Sequence, residues 1–191
     1  MLEAISFGDA GWGDEMLMGA FWTVAVSISS ILLGLVIGII FAGFKLSSIR
    51  VLNLIAEFYT TIIRGVPELL VIYLLFFGGG SAVMYVAKIF GYFGYIELQP
   101  FVIGTLAVGA ISGAYSTEVI RGAVNAIPRS QFETGSALGL KGFRLYQKII
   151  FPQVARLALP GIGNVWQITL KDTALISVTG LVEIMRQSRI A

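Results

Sequence analysis

Uncharged stretches of membrane length alternate with short polar segments along most of this chain. Between Glu15 and Lys45 lie 29 uncharged residues, between Glu68 and Lys88 there are 19, and between Glu97 and Glu118 there are 20. A hydrocarbon core about 30 Å thick needs roughly 20 apolar residues of helix, so each run predicts a transmembrane helix. The expected spans cover about residues 18–44, 52–77 and 101–120, the last opened by Pro100 at a position where a missing N–H is harmless. In the first span Thr23, Ser27, Ser30, Gly34 and Gly38 are spaced by 4, 3, 4 and 4. That spacing lines small residues along one face, where a second helix can approach closely. After Gly78, Gly79 and Gly80 comes "AVMYVAKIFGYFGYI", expected as a short interfacial helix with aromatic anchors.

A fourth apolar region, about residues 157–181, is less regular. Only 14 uncharged residues separate Arg156 from Lys171, roughly 21 Å of helix and too short to cross. Lys171 and Asp172 are therefore expected inside the bilayer or in a wetted cavity, where an interrupted helix is tolerated. Neighbours on a helix point about 100° apart, so the two cannot share one face; one can meet a solute while the other braces the structure.

The polar segments set the orientation. Residues 121–156 hold Arg121, Arg129, Lys141, Arg144, Lys148 and Arg156 against a single acid, Glu133. Short loops rich in Lys and Arg stay in the cytoplasm. The loop with Lys45 and Arg50 agrees, two crossings away, which leaves the acidic N-terminus and the loop with Lys88 and Glu97 outside. Glu3, Asp9, Asp14 and Glu15 precede the first run, and the run is too long for an h-region, so it does not read as a cleaved signal peptide.

Composition agrees with this pattern and narrows the chemistry. The 191 residues are 57% hydrophobic and only 13% charged, with a mean hydropathy of +0.87. Soluble domains are about a quarter charged. The fold class expected is all-α, a polytopic membrane helix bundle of about four spans forming one domain over residues 1–191. A net charge of +2 placed in inter-helix loops gives no reason to expect nucleic acid. Absence of Cys and His rules out disulfides, thiol catalysis, most zinc sites and Ser-His chemistry. No phosphate-binding G-x-x-x-x-G-K-[ST] loop occurs, so the chain has no ATP site of its own.

Charges inside the expected second span need an account. Glu57, Thr60, Thr61, Arg64 and Glu68 recur at helical spacing, one polar face. A charge at the bilayer centre costs about 2.5–3.5 kcal/mol on insertion scales, so it should face the protein interior and be paired. Two readings stand: an Arg64–Glu68 ion pair bracing a kink at Pro67, or a polar wall of a solute path. Glu118, near the end of the third span, and Lys171 with Asp172 are further pathway candidates.

The polar loop contains its own helix. Ser130 and Glu133 have capping-box spacing, which predicts a start at Gln131, and Gly139 suits a left-handed C-terminal cap. Two turns are marginal alone in water, so Phe132, Ala137 and Leu138 should have something to dock on. Here the residues resemble the permease subunits of ATP-binding-cassette importers. Their cytoplasmic signature is Glu-Ala-Ala, three residues, Gly, nine residues, then Ile-x-Leu-Pro. Glu133 is followed six residues later by Gly139, and nine residues further by Ile149, Ile150, Phe151 and Pro152; Thr134, Gly135 and Phe151 depart from the signature. Gly135 lowers intrinsic helix strength by about 1 kcal/mol relative to alanine.

"RGVPELL", "GAYSTEVIRGAV", "ALPGIGNVWQ" and "LKDTALISVTGL" resemble the polar amino-acid importers, and within them the histidine/basic amino-acid and opine permeases, over about residues 17–190. The resemblance implies a bacterial inner-membrane permease, not an enzyme, that binds no cofactor itself. ATP and Mg would sit on a partner ATPase dimer, a second permease subunit would complete the pathway, and a periplasmic binding protein would deliver the solute. Ser130, Phe132, Glu133, Ala137, Leu138, Gly139 and Pro152 would form the ATPase-coupling region. Such subunits normally have five spans, so a last span is expected to be missing at Ala191. A secondary transporter or channel would share the interrupted spans, but it has no use for a capped helix between Glu133 and Pro152.

Overall fold

The computed structural model describes residue 7 and residues 11–92 and 99–190, and every regular element among them is helical. Helix α1 (Gly13–Leu46) runs unbroken through the first uncharged stretch, which contains no proline. It ends where Ser47 turns extended and its hydroxyl accepts the Ile49 amide at 3.1 Å. Helix α2 (Arg50–Gly65) follows and stops at Val66, whose ψ is 142°. The cause is local: a residue before proline is pushed out of the helical region. Helix α3 (68–89) then starts at Glu68, with a π-helical turn at Leu74–Gly78. An acid in a first helical turn is favoured by the helix dipole.

This break revises the expected second span. Residues 52–77 are two helices, and the apolar helix long enough to cross a membrane is Glu68–Tyr85. The helix around Gly79–Ile89 continues that span rather than forming a separate interfacial element, while residues 93–98 lie outside the described residues.

Helix α4 (Pro100–Asn125) begins with its proline in the first turn, as expected. Helix α5 (Arg129–Ala137) is the short helix of the polar loop. Helix α6 (143–172) rises from that loop through a π-helical turn at Tyr146–Ile150 and keeps Pro160 in its interior. It passes into a 3-10 segment, Thr173–Thr179, directly after Asp172, and helix α7 (Ile184–Ile190) follows. The buried Glu183 carboxylate caps α7 by accepting the Met185 and Arg186 amides, both at 2.9 Å. Among the described residues three helices are long and apolar enough to cross a membrane: Gly13–Leu46, Glu68–Tyr85 and Pro100–Asn125. The region 157–181 is not among them, because Asn164, Gln167, Lys171 and Asp172 dilute its apolar character.

Helices α1 and α4 form the centre of the bundle and run parallel. Ser30 donates to the Thr105 carbonyl, Ser112 donates to the Ser30 carbonyl, Gly34 meets Ser112, and Gly38 meets Ser116. The small-residue face of α1 is the packing surface expected of it: Thr23, Ser27, Ser30, Gly34 and Gly38 are all buried. Val26, Ala107, Val108, Ile111, Val71, Ile72 and Ile176 complete the apolar core. Helix α6 packs antiparallel to this pair, with Gly161 against Val119 and Trp166 Nε1 donating to Ser27 at 3.1 Å. Further on, Ile176 covers Gly104, so Asp172 falls at mid-depth along α4.

Candidate functional site

Because α1 and α4 are parallel, their last turns meet at one end of the bundle, and a charge network forms there. Lys45, its side chain only 4% exposed, lies between Glu57 Oε2 at 2.7 Å and Glu118 Oε1 at 2.5 Å. Glu118 Oε2 accepts two bonds from Arg121, at 3.0 and 2.7 Å. A cation in a last helical turn is favoured by the dipole, and here it also draws α2 in. Asn53 Nδ2 donates to the Lys45 carbonyl at 2.8 Å, and Tyr59 Oη donates to the Ala110 carbonyl.

Arg64 leads from this network into a second cluster. Its Nη1 stands 3.8 Å from Glu118, and its guanidinium lies 5.5 Å from the Tyr115 ring centre. Tyr115 Oη donates to Glu68 Oε1 at 3.3 Å. Asp172 is buried beside them, within electrostatic reach of both Glu68 and Tyr115. Its Oδ2 has no hydrogen-bond partner among the described residues. A buried, unpaired carboxylate oxygen is costly, so this cluster has unused capacity for a cation or donor.

The expected stripe is therefore divided. Arg64 and Glu68 make no ion pair with each other; Pro67 separates their helices, and Arg64 turns to Glu118 and Tyr115 instead. Glu57, 60% exposed, belongs to the Lys45 network. Thr60 is buried and spends its hydroxyl on the Ala56 and Glu57 carbonyls, while Thr61 is exposed. Lys171 is exposed where Asp172 is buried, the divergence that adjacent helical positions require. Sequence reasoning singled out neither Lys45 nor Arg121 as a partner, reading both as loop charge, and it passed over Tyr115. The parallel packing of α1 and α4 brings Lys45 to Glu118, and α3 carries Glu68 to Tyr115; Arg121 reaches Glu118 from three residues along the same helix, a spacing the sequence already showed.

The polar loop folds on itself. Ile127, Leu145 and Ile150 are buried together, with Phe132, Leu140, Ile149 and Val154 against them, and Phe132 meets the Tyr146 ring edge-on at 6.2 Å. Helix α5 starts at Arg129 after Pro128, two residues earlier than the capping box predicts, and no side chain caps it. The φ of −60° at Pro128 already suits the entry to a helix, so Ser130 is inside the first turn, exposed, and not an N-cap. The C-terminus is as expected: Gly139 has φ +78°, Leu140 N–H bonds Gly135 O at 3.1 Å and Gly139 N–H bonds Ser136 O at 3.0 Å. This is the Schellman arrangement. Gly135 is buried, and a Cβ there would press on Leu145 and Ile149, so its lower helix propensity accompanies a closer packing of α5 on α6. Glu133, Ala137 and Leu138 are exposed, Leu138 to 73%, and Pro152 is exposed on α6 just beyond the π-helical turn.

Membrane-length helices around a partly unsatisfied charge cluster, joined to a folded polar loop at one end, define a membrane permease. Residues 34–191 match the family described as "Binding-protein-dependent transport system inner membrane component", and the chain belongs to that family. It is 53% identical over 186 residues to the nopaline transport system permease protein of Agrobacterium fabrum (strain C58), covering 97% of this chain and 79% of that one. It is 43% identical over 181 residues to the histidine/lysine/arginine/ornithine transport system permease protein of Escherichia coli (strain K12), covering 95% and 79%. A solved chain, from the crystal structure of an amino acid ABC transporter with histidines, superposes with a TM-score of 0.77 at 28% identity, over 94% of this chain and 78% of that one. The protein is thus an inner-membrane permease subunit of an ATP-binding-cassette importer.

Proposed function

We propose that this subunit conducts basic amino acids or opines into the cytoplasm, and that the cluster of Arg64, Glu68, Tyr115 and Asp172 is where the solute is held. The observation that carries the reading is the buried Asp172 with an unpaired oxygen, set beside Glu68. A cationic side chain needs acids, and its carboxylate needs a donor; Asp172 and Glu68 supply the first, Arg64 the second. Lys171, exposed one position away, is a candidate second donor on a different face of the helix. The names of the nopaline and histidine/lysine/arginine/ornithine relatives support a solute of this chemistry. Glu57, Thr60, Thr61 and Glu118 frame the path from the inner end.

Helix α5 is the lever in this reading. Ser130, Glu133, Ala137, Leu138, the Gly139 cap and Pro152 face a cytoplasmic ATPase dimer, while Phe132 holds α5 against the start of α6. Nucleotide-driven closure of the ATPases would move α5, and with it α4 and α6, as a rigid-body switch between two packed states. The N-terminus then lies outside, a second permease subunit completes the pathway, and a periplasmic binding protein delivers the solute. ATP and Mg belong to the partner; this chain binds neither.

Mild-detergent affinity purification from the native membrane, followed by mass spectrometry, tests the assembly. An ATPase and a sister permease should co-purify, and altering Glu133 with Gly139 should release the ATPase. Recovery of the chain alone, correctly inserted, would overturn the reading in favour of a self-contained carrier. Solute-stimulated ATP hydrolysis by the purified complex then tests substrate class, with the Asp172→Asn variant expected to lose most of the stimulation.

A further inference from the structure

The lower part of α6 carries an exposed strip that neither the pathway nor the α5 lever uses. Lys148, Phe151, Ala155, Arg156 and Leu159 recur at helical spacing and are all exposed, Phe151 to 66% and Leu159 to 70%. Leu145, Ile149 and Ile150 point the other way, into the small core under α5. Above Arg156 the strip enters the 14-residue uncharged run, where Leu157 and Leu159 are exposed and suited to an apolar phase. At and below it stand two cations, Arg156 and Lys148, that make no ion pair among the described residues, with an aromatic ring between them. The nearest acid in sequence is Glu133, on the coupling helix; the next is Asp172. Apolar contact above, a cation at its edge, then a ring and a second cation suit a membrane–water interface, where basic and aromatic side chains gather.

We infer that Lys148 and Arg156, with Phe151 between them, form a binding site for the phosphate headgroup of an anionic phospholipid in the cytoplasmic leaflet. The inference rests on the inward orientation proposed above. A lipid phosphate fits because it supplies the missing negative charge while its acyl chains continue along Leu159. A soluble ATPase can pair the cations but has nothing to lay along the apolar part of the strip. A lipid seated here would tie the root of α6 to the bilayer surface beside the moving α5.

The test uses the intact transporter, purified with its partner subunits and delipidated stepwise, with phosphatidylglycerol and phosphatidylcholine retention read by mass spectrometry. Each basic residue near an anionic surface is worth about fivefold in binding, so Lys148→Gln with Arg156→Gln should lower phosphatidylglycerol retention by roughly 25-fold. Phosphatidylcholine retention should not change, and Lys141→Gln, off the strip, should retain wild-type behaviour. Equal phosphatidylglycerol retention in wild type and the double variant would overturn the site. Retention kept while the ATPase dissociates would also overturn it, assigning the strip to the ATPase. The native chain has no cysteine, so Gln147→Cys labelled by an impermeant maleimide reports the side independently. Labelling from outside would refute the orientation, a failure distinguishable from loss of the lipid site.

Discussion

Replacing Gly38 by alanine tests whether the approach of α1 to α4 is as close as the fold requires. A Cβ at Gly38 would stand 2.6 Å from Ser116 Cβ and 3.2 Å from the Ser116 carbonyl carbon and the Thr117 nitrogen. Carbon atoms prefer about 3.5–4.0 Å, so the helices must part by about 1 Å, and the backbone on the far side cannot rotate away. Overpacking of this kind costs about 1–3 kcal/mol. The parting also breaks the bond from Ser30 to Thr105, already 3.4 Å long, for about 1 kcal/mol more. The expected loss is roughly 2–4 kcal/mol. Gly43, on the same helix with nothing within 4 Å, is the internal control; alanine there should be neutral or gain up to about 1 kcal/mol of helix propensity. Both variants are compared by thermal unfolding of the purified protein in one detergent, followed by tryptophan fluorescence. Equal midpoints for the Gly38 and Gly43 variants would refute the close-packed seam.

Three further substitutions separate bracing charges from the proposed pathway groups. Glu118→Gln leaves the nearly fully buried Lys45 with Glu57 alone, so it should destabilise by about 3 kcal/mol, whereas Glu57→Gln, at an exposed partner, should cost under about 1 kcal/mol; denaturation in detergent ranks the pair, and the reverse order would sink the assignment. Tyr115→Phe removes the donor to Glu68 and should raise the KM for solute roughly tenfold while changing stability by no more than about 1 kcal/mol, read by uptake kinetics in proteoliposomes alongside unfolding.

Much of the bundle was legible because lipid imposes long uncharged runs and because small residues at spacings of 3 and 4 can serve only one face. The buried row from Thr23 to Gly38 needed nothing beyond that. Periodicity misled across Pro67. Glu57 to Glu68 keep helical spacing in sequence, yet the residue before a proline leaves the helical region, and the stripe became the end of one helix and the start of another. The capping box failed for a related reason, since Pro128 opened α5 before Ser130 could act. Gly135 looked like a weak point in a helix, but its cause lies in Leu145 and Ile149, ten and fourteen residues away, and no local rule can show it.

The partition of charge was the least legible part, and it separates function from support. Opposite charges in a low-dielectric bundle settle when each buried oxygen or ammonium has a partner, and a settled group has little left to offer a solute. Glu118 is settled: one oxygen takes Lys45 and the other takes Arg121. Arg64, at 3.8 Å from a carboxylate whose oxygens are already engaged and 43% exposed, adds little there and remains available. Among the described residues Asp172 has an oxygen with no hydrogen-bond partner, and Glu68 accepts a bond from a phenol. The unsettled groups are one cation and two acids at neighbouring sites, which mirrors an amino acid with a cationic side chain, whose groups are one carboxylate and two cations. A structural ion network would be expected to close on itself; this one closes at Lys45 and Glu118 and stays open at Arg64, Glu68 and Asp172. On the function proposed here, the open end is where a solute would lower the energy of the bundle by entering it.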